Sequence, residues 1–446
     1  QYKVAEGDTL EVEKIDGETG ILETLKNTLF EYGRQIPWYP AEPATSPIAI
    51  REQGRKDGLK VPSSLAKYDP AAQKFFEENG PKFAWVNATR SFRQANMVLK
   101  KVENLRRMVR DDGTFSYECL YFGANTGRFT ASAGDREERG SDDSDKFNLF
   151  NLPKKPLQNV DMRGLLVPRK GFKMFKADYS QVEARLVLWM AKDREILAKI
   201  ASGYNIYEAM AEKLLGMEDA RGLKKRDHAK YAMVKAVTLG CGFGMGWERF
   251  MNQAPVLTAN DEHPELVYRP DEEEARKVIA TYREHNPLVV NNWNRHQTFL
   301  LSSTYNSDRQ HRVQLASGRW LTYFDPQFAM TKDERTGRDR REIVVKQILG
   351  DPHKRMYGAK ITENMAQATS FDILCDAWER IEDRFEELGD GSRVLWTLYD
   401  EFNCEIPERR AEETARELVE IMTTPPPWAA GLPLGVEWDL LDRYCK

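Results

Sequence analysis

The sequence predicts an α+β fold in which one β-sheet draws its strands from two distant parts of the chain. Phe172 to Asp178 alternates apolar and polar residues, as a half-buried strand does, and ends on an acid. From Gln181 to Met190 the apolar spacing becomes helical, so Asp178 falls on a strand-to-helix junction. Val394 to Cys404 is a second strand-rich run, with Asp400 and Glu401 in a tight hairpin turn. The two acids lie 222 residues apart, so one sheet carrying both must accommodate a long insertion.

At 446 residues the chain has room for about three domains of ~150 residues, and for a sizeable core. Its aromatic content and mixed charge are those of a globular protein. A net charge of -4 gives no global basic signature, so nucleic-acid binding would rest on a local stripe. No apolar run reaches the ~18 residues of a membrane span, and no secretory signal is visible. The chain opens at Gln1 instead of Met, as a processed or partial chain does. Five scattered cysteines without a CxxC pair suggest neither a zinc site nor a disulfide framework, and a reducing cytoplasm is the simplest compartment. The six histidines lack HExxH spacing, which argues against zinc-dependent hydrolysis.

Along the chain, a helix is expected around Leu22 to Tyr32, and Pro37 to Pro70 reads as a loop or linker rich in Pro, Gly and Ser. Asp16-Gly17-Glu18-Thr19 resembles the acidic start of a proofreading exonuclease, but too little chain precedes Pro37 for that domain, and a solvated turn is the simpler reading. Residues 82 to 110 form a helix with Val98, Val102, Leu105 and Val109 on its apolar face. Eight bases, among them Lys100, Lys101, Arg106 and Arg107, stand there against the single acid Glu103. A charged helix face is commonly only solvated, yet this excess in an acidic protein suits a phosphate-backbone stripe. Asp135 to Lys146 reads as a surface loop, and Thr331 to Glu342 as the tip of a hairpin. No internal repeat is apparent.

Carboxylates are hard oxygen ligands suited to Mg²⁺. Two of them bridging ions ~3.5–4 Å apart can activate a hydroxyl and stabilise a leaving pyrophosphate. Either acid alone is weak evidence, because acids in turns are common. Between them Arg226 to Val237 reads as a single helix, with Arg226 and Lys230 on one face and Lys235 on another. Gly240, Gly242, Gly244 and Gly246 follow a helix instead of a strand, which removes the dinucleotide-loop reading. They are expected to end or bend the helix and let it pack closely. A basic helix facing two carboxylates suits a metal-bound triphosphate.

From about residue 80 to the C-terminus the chain resembles the polymerase portion of family A DNA polymerases, in a pattern nearest to phage-encoded members. Thr126-Gly127-Arg128 resembles the TGR motif, and Asn148 to Pro153 the segment after it. Asp178 to Arg185 resembles motif A, Lys235 with Gly240 to Gly246 motif B, and Tyr399-Asp400-Glu401 motif C. Glu363 to Gln367 resembles a DNA-contacting helix, while His285-Asn286-Pro287, Trp293 and Ser317-Gly318-Arg319 recur in phage members.

The resemblance implies a right-hand fold with an antiparallel-sheet palm, helical fingers and a helical thumb. It would divide the chain into a thumb and N-terminal segment at 1–115, palm at 116–200, fingers at 201–350 and palm again at 351–446. It implies two Mg²⁺ ions, with Mn²⁺ as a substitute, on Asp178, Asp400 and the Tyr179 carbonyl, supported by Glu401. Lys235 would meet the triphosphate, within a dNTP site that also takes in Gln181, Arg226, Lys230, Tyr231, Leu239 and Phe243. Glu183 would crowd the sugar 2′ position. Arg128 and Gln367 would read the minor groove, where base pairs look alike. Arg163, Tyr399, Lys100, Lys101, Arg106 and Arg107 would also touch DNA. The implied partners are primer-template DNA, dNTPs and a processivity or replisome protein, for a monomer without membrane contact, in a bacterial host cytoplasm if phage-encoded.

Several positions depart from the family pattern. Tyr231 stands where an Arg is usual, so Arg226 with Lys230 is an alternative register for the basic pair. Leu239, Phe243, Tyr399 and Phe150 replace an aromatic residue, a Tyr, a His and a Gln. None removes a metal ligand, so activity with altered nucleotide selectivity is expected. The competing readings are a single-subunit RNA polymerase, against which Glu183 argues, and a catalytically silent DNA-binding clamp, against which Asp178, Asp400 and Lys235 argue.

Overall fold

The computed structural model describes residues 9–11, 17–65, 70–117, 119–131, 148–153, 156–260, 263–332 and 337–445. The chain opens with β1 (Thr9–Glu11) and the helices α1 (Gly17–Gly33), α2 (Pro47–Lys56), α3 (Pro70–Asn79) and α4 (Ala84–Met108). Short strands β2 (Thr114–Ser116), β3 (Cys119–Leu120) and β4 (Thr130–Ala131) follow, β2 pairing with β1 and β3 with β4. Two expectations need correction here. The supposed linker from Pro37 to Pro70 contains α2, because the Ser46 side chain caps the Ala49 N–H and Pro47 fits the first turn. Gly17 to Thr19 lie inside α1, not in a turn, while Asp16 lies outside the described residues. The run Asp135 to Lys146 also lies outside them.

The central element is β5 (Phe172–Tyr179), followed by α5 (Val182–Met190). Seven helices come next: α6 (Arg194–Ala201), α7 (Ile206–Leu215), α8 (Leu223–Arg226), α9 (His228–Cys241), α10 (Trp247–Leu257), α11 (Glu272–His285) and α12 (Pro287–Tyr305). The single helix expected from Arg226 to Val237 is thus two. Asp227 leaves the helical backbone region (φ -152°, ψ 87°), and its side chain caps the Lys230 N–H, so α9 starts afresh at His228. α9 ends at Cys241 as the glycines suggest. Gly244 adopts φ +73°, and a Cβ there would stand 2.6 Å from that of Ala359. The insertion is not wholly helical. It continues into a four-stranded antiparallel sheet of β6 (Gln310–Gln314), β7 (Trp320–Lys332), β8 (Asp339–Lys346) and β9 (Lys354–Met356). The β7–β8 hairpin carries the charged tip at Thr331 to Glu342, as expected, with residues 333–336 outside the description.

The chain then returns through α13 (Gly358–Leu388), β10 (Arg393–Leu398), β11 (Glu401–Pro407), α14 (Ala411–Thr423) and β12 (Val436–Leu441). Their strands join β5 in one antiparallel sheet, ordered β10-β11-β5-β12. Strand alternation gives this sheet two different faces. Phe175, Ala177, Tyr179, Phe402, Cys404 and Ile406 point into the largest core, with residues of α5, α13 and α14. Met174, Leu395, Trp396 and Leu398 pack on the other side with Leu22, Leu25, Val98, Val102 and Leu105 of α1 and α4. That second core covers only part of its face. At the end of β5 the same face carries acids.

Candidate active site

In the sheet register Asp178 stands directly across from Glu401 on one side and Glu437 on the other. Directly opposed residues share a face, so the three acids stand in one row on one face at the end of the sheet. Asp400 lies in the two-residue turn between β10 and β11, and its carbonyl accepts the Tyr179 N–H at 3.1 Å. The backbone of the residue after Asp178 is thereby joined to that of Asp400 at the sheet end. Both junctions use non-glycine residues in left-handed backbone: Tyr399 at φ +60° before Asp400, and Gln181 at φ +48° before α5. Such conformations cost on the order of 1–2 kcal/mol each and gather at functional sites.

Glu401 is held in place. Tyr444 donates to Glu401 Oε1 at 2.9 Å and Asn403 Nδ2 donates to the same oxygen at 2.8 Å. The Tyr444 ring lies under the guanidinium of Arg163 at 4.7 Å and edge-on to Trp396 at 5.1 Å. Arg163 is buried, so in this structure it reaches the site through Tyr444 and not by presenting itself to solvent. Asn403, Glu437 and Tyr444 were missed from sequence. Asn403 was findable, being two residues beyond Glu401 on the same strand face. Tyr444 arrives from the C-terminal segment, and no local signal marks it.

Arg128 forms the second cluster. Its guanidinium pairs with Glu183 at 2.5 Å and lies 5.6 Å from the centre of the Tyr399 ring, which packs on Phe150 at 5.8 Å. Burial pushes the Asp400 carboxyl well above the usual carboxylate range; Arg128 opposes that shift, while Glu183 and Glu401 add to it. The turn carrying Arg128 is fixed from behind. Arg319 pairs with Asp372 at 2.8 Å and donates from Nη2 to both the Thr126 and Ala368 carbonyls at 2.9 Å. One nitrogen therefore grips the neighbours of Arg128 and of half-buried Gln367, drawing together two residues far apart in sequence.

On α9, Tyr231, Lys235 and Leu239 follow one another at four-residue spacing, all half-buried on one face. Burial raises the pKa of the Tyr231 hydroxyl, and Glu208 and Glu437 add to the shift. Phe243 packs on the main core just past the helix. The Trp293 indole donates to the Gly242 carbonyl at 3.1 Å and ties down the end of α9. Of the alternative basic pair, Arg226 ends α8 and donates to the Asp219 carbonyl, while Lys230 pairs with Asp227 at 3.0 Å. Both are exposed and neither shares the Lys235 face. Lys100, Arg106 and Arg107 are exposed on α4, whereas Lys101 donates to the Asn151 carbonyl at 2.6 Å.

Among the described residues no group of three or more His, Cys, Asp or Glu side chains forms a ready metal cage. The donor set still suits Mg²⁺, which is usually held by one or two carboxylates completed by water and substrate phosphates. No helix among the described residues is long and apolar enough to cross a membrane.

The family description "DNA polymerase family A" matches residues 73–444. Among curated proteins the chain is 27% identical over 296 residues to the DNA polymerase of Bacillus phage SP02, covering 64% of this chain and 43% of that protein. It is 23% identical over 369 residues to the thermostable DNA polymerase I of Thermus aquaticus, covering 81% of this chain and 38% of that one. The chain thus spans less than half the length of either relative. A solved structure described as the POL domain of Pol1 from M. smegmatis in complex with DNA primer-template and dNTP shares the fold. Its TM-score is 0.64 at 19% identity, covering 98% of this chain and 67% of that one. With most of its length matched by the family description, the chain belongs to DNA polymerase family A, whose members generally use divalent metal ions.

Proposed function

We propose that this chain is a template-directed DNA polymerase that adds dNTPs to a primer 3′-hydroxyl and releases pyrophosphate. The observation that carries the reading is the joining of Tyr179 and Asp400 at the sheet end, with Asp178, Glu401 and Glu437 in one cross-strand row beside them. In the reaction the primer 3′-oxygen forms a bond to the α-phosphorus, the bond from that phosphorus to the β-phosphate bridging oxygen breaks, and pyrophosphate leaves. Two Mg²⁺ ions on Asp178, Asp400 and the Tyr179 carbonyl would supply Lewis acidity at the attacking and leaving oxygens. Lys235 would take charge on the triphosphate. Glu183 would crowd a 2′-hydroxyl. Arg128 and Gln367 would meet the minor groove of the new duplex, testing pair shape more than sequence.

In this reading α1–α4 belong to a thumb at 1–115, with the α4 bases along the DNA backbone. The sheet strands at 116–200 and 351–446 make a palm in two parts, and the fingers occupy 201–350. The β6–β9 sheet runs on to Met356, past that bound. Similarity to a phage polymerase supports a role in phage DNA replication within a bacterial host.

Primer extension separates the readings. The polymerase reading predicts template-dependent extension with dNTPs and little with NTPs. Efficient extension with NTPs would favour an RNA polymerase, and binding of primer-template without extension would favour a silent clamp.

A further inference from the structure

We propose that Arg128 is a positioning residue for Glu183, and that this grip sets the discrimination between deoxyribo- and ribonucleotides. The inference rests on the polymerase reading above and deepens it. Glu183 lies in the first turn of α5, and its hydrogen-bond partner among the described residues is Arg128, at 2.5 Å. The two side chains are 32% and 15% exposed, so water reaches Glu183. A free glutamate there would keep its rotamer freedom. A wall against one extra hydroxyl works only if it stays put, and a charge-assisted hydrogen bond holds one rotamer.

Arg128 is built to hold. Gly127 before it takes φ +93°, and a Cβ there would meet Arg319 Nη1 at 2.9 Å. Arg319 is itself locked by Asp372 and by the Thr126 and Ala368 carbonyls. The clamp therefore hangs on α13 through a half-buried ion pair, while its other end reaches α5.

The test is single-nucleotide incorporation with dNTP and the matched rNTP on a primed template, for wild type, Arg128→Ala, Arg128→Lys, Glu183→Ala and the Arg128→Ala/Glu183→Ala double variant. Arg128→Ala should slow dNTP incorporation as well, so the dNTP/rNTP ratio of kcat/KM decides. Glu183→Ala and Arg128→Ala are each expected to lower that ratio by about tenfold or more, the scale of one charged hydrogen bond. The double variant should lose no more than Glu183→Ala alone. Arg128→Lys, which keeps the charge but not the fork, should fall between wild type and alanine. An unchanged ratio in Arg128→Ala, or losses that add in the double variant, would overturn the proposal. If Arg128→Ala does not fold, an unchanged ratio in Arg128→Lys overturns it. Absence of dNTP extension by the wild type would instead remove the polymerase reading itself.

Discussion

Glu437 on β12 and Asp178 on β5 are direct cross-strand partners, and Glu401 on β11 stands across from Asp178 on its other side. Three neighbouring strands thus carry an acid in the same row. Like charges facing each other across strands cost stability.

That row predicts a trade between stability and metal binding. Glu437→Gln should raise the melting temperature by about a degree in chelator. Added Mg²⁺ should stabilise the wild type more than the variant. Thermal melts with and without Mg²⁺ check it, and a lower melting temperature for Glu437→Gln in chelator would show that the row is not repulsive.

The α4 stripe predicts salt-dependent, sequence-independent binding. Replacing Lys100, Arg106 or Arg107 by Ala should weaken primer-template binding equally for unrelated sequences. Each change should lower the slope of log affinity against log salt by about 1. Unchanged slopes would mark these bases as a solvated face only.

The turn before Arg128 predicts a backbone effect. Gly127→Ala forces a side chain into φ +93° and against Arg319 and Phe122. A cost of about 1–3 kcal/mol is expected in denaturant unfolding, with weaker primer-template binding. A variant of wild-type stability would mean the turn can rearrange.

His296 on α12 predicts acid sensitivity. Its Nε2 is buried without a partner among the described residues. Burial, with Arg295 and His311 adding, lowers its pKa from 6.5 to about 4. The unfolded chain therefore takes up a proton near pH 6.5 that the folded chain refuses until about pH 4. Stability should fall as pH drops between those values, by no more than roughly 3–4 kcal/mol from this group. His296→Asn should flatten that slope in melts from pH 7 to pH 4. An unchanged slope would place the sensitivity elsewhere.

The sheet was legible because alternation at Phe172 to Asp178 and Val394 to Cys404 is a local signal. α2 was missed because Pro37 to Pro70 is rich in loop-forming residues, although Ser46 and Pro47 form a proper helix start. The break at Asp227 was missed because a capping acid inside a helical apolar pattern leaves the periodicity intact. The β6–β9 sheet was legible only at its charged hairpin tip. Glu437 and Tyr444 join the site through strand order and a C-terminal return, which depend on the whole fold. The Arg128–Glu183 pair spans 55 residues between two motifs that could each be read, but their contact could not.

The most direct measurement is primer extension with Mg²⁺ and dNTPs for the wild type, Asp178→Ala and Asp400→Ala, with primer-template binding measured alongside. The two-acid site predicts template-dependent extension by the wild type, and a loss of several orders of magnitude in both variants, with binding retained. Extension by either variant at the wild-type rate would contradict it.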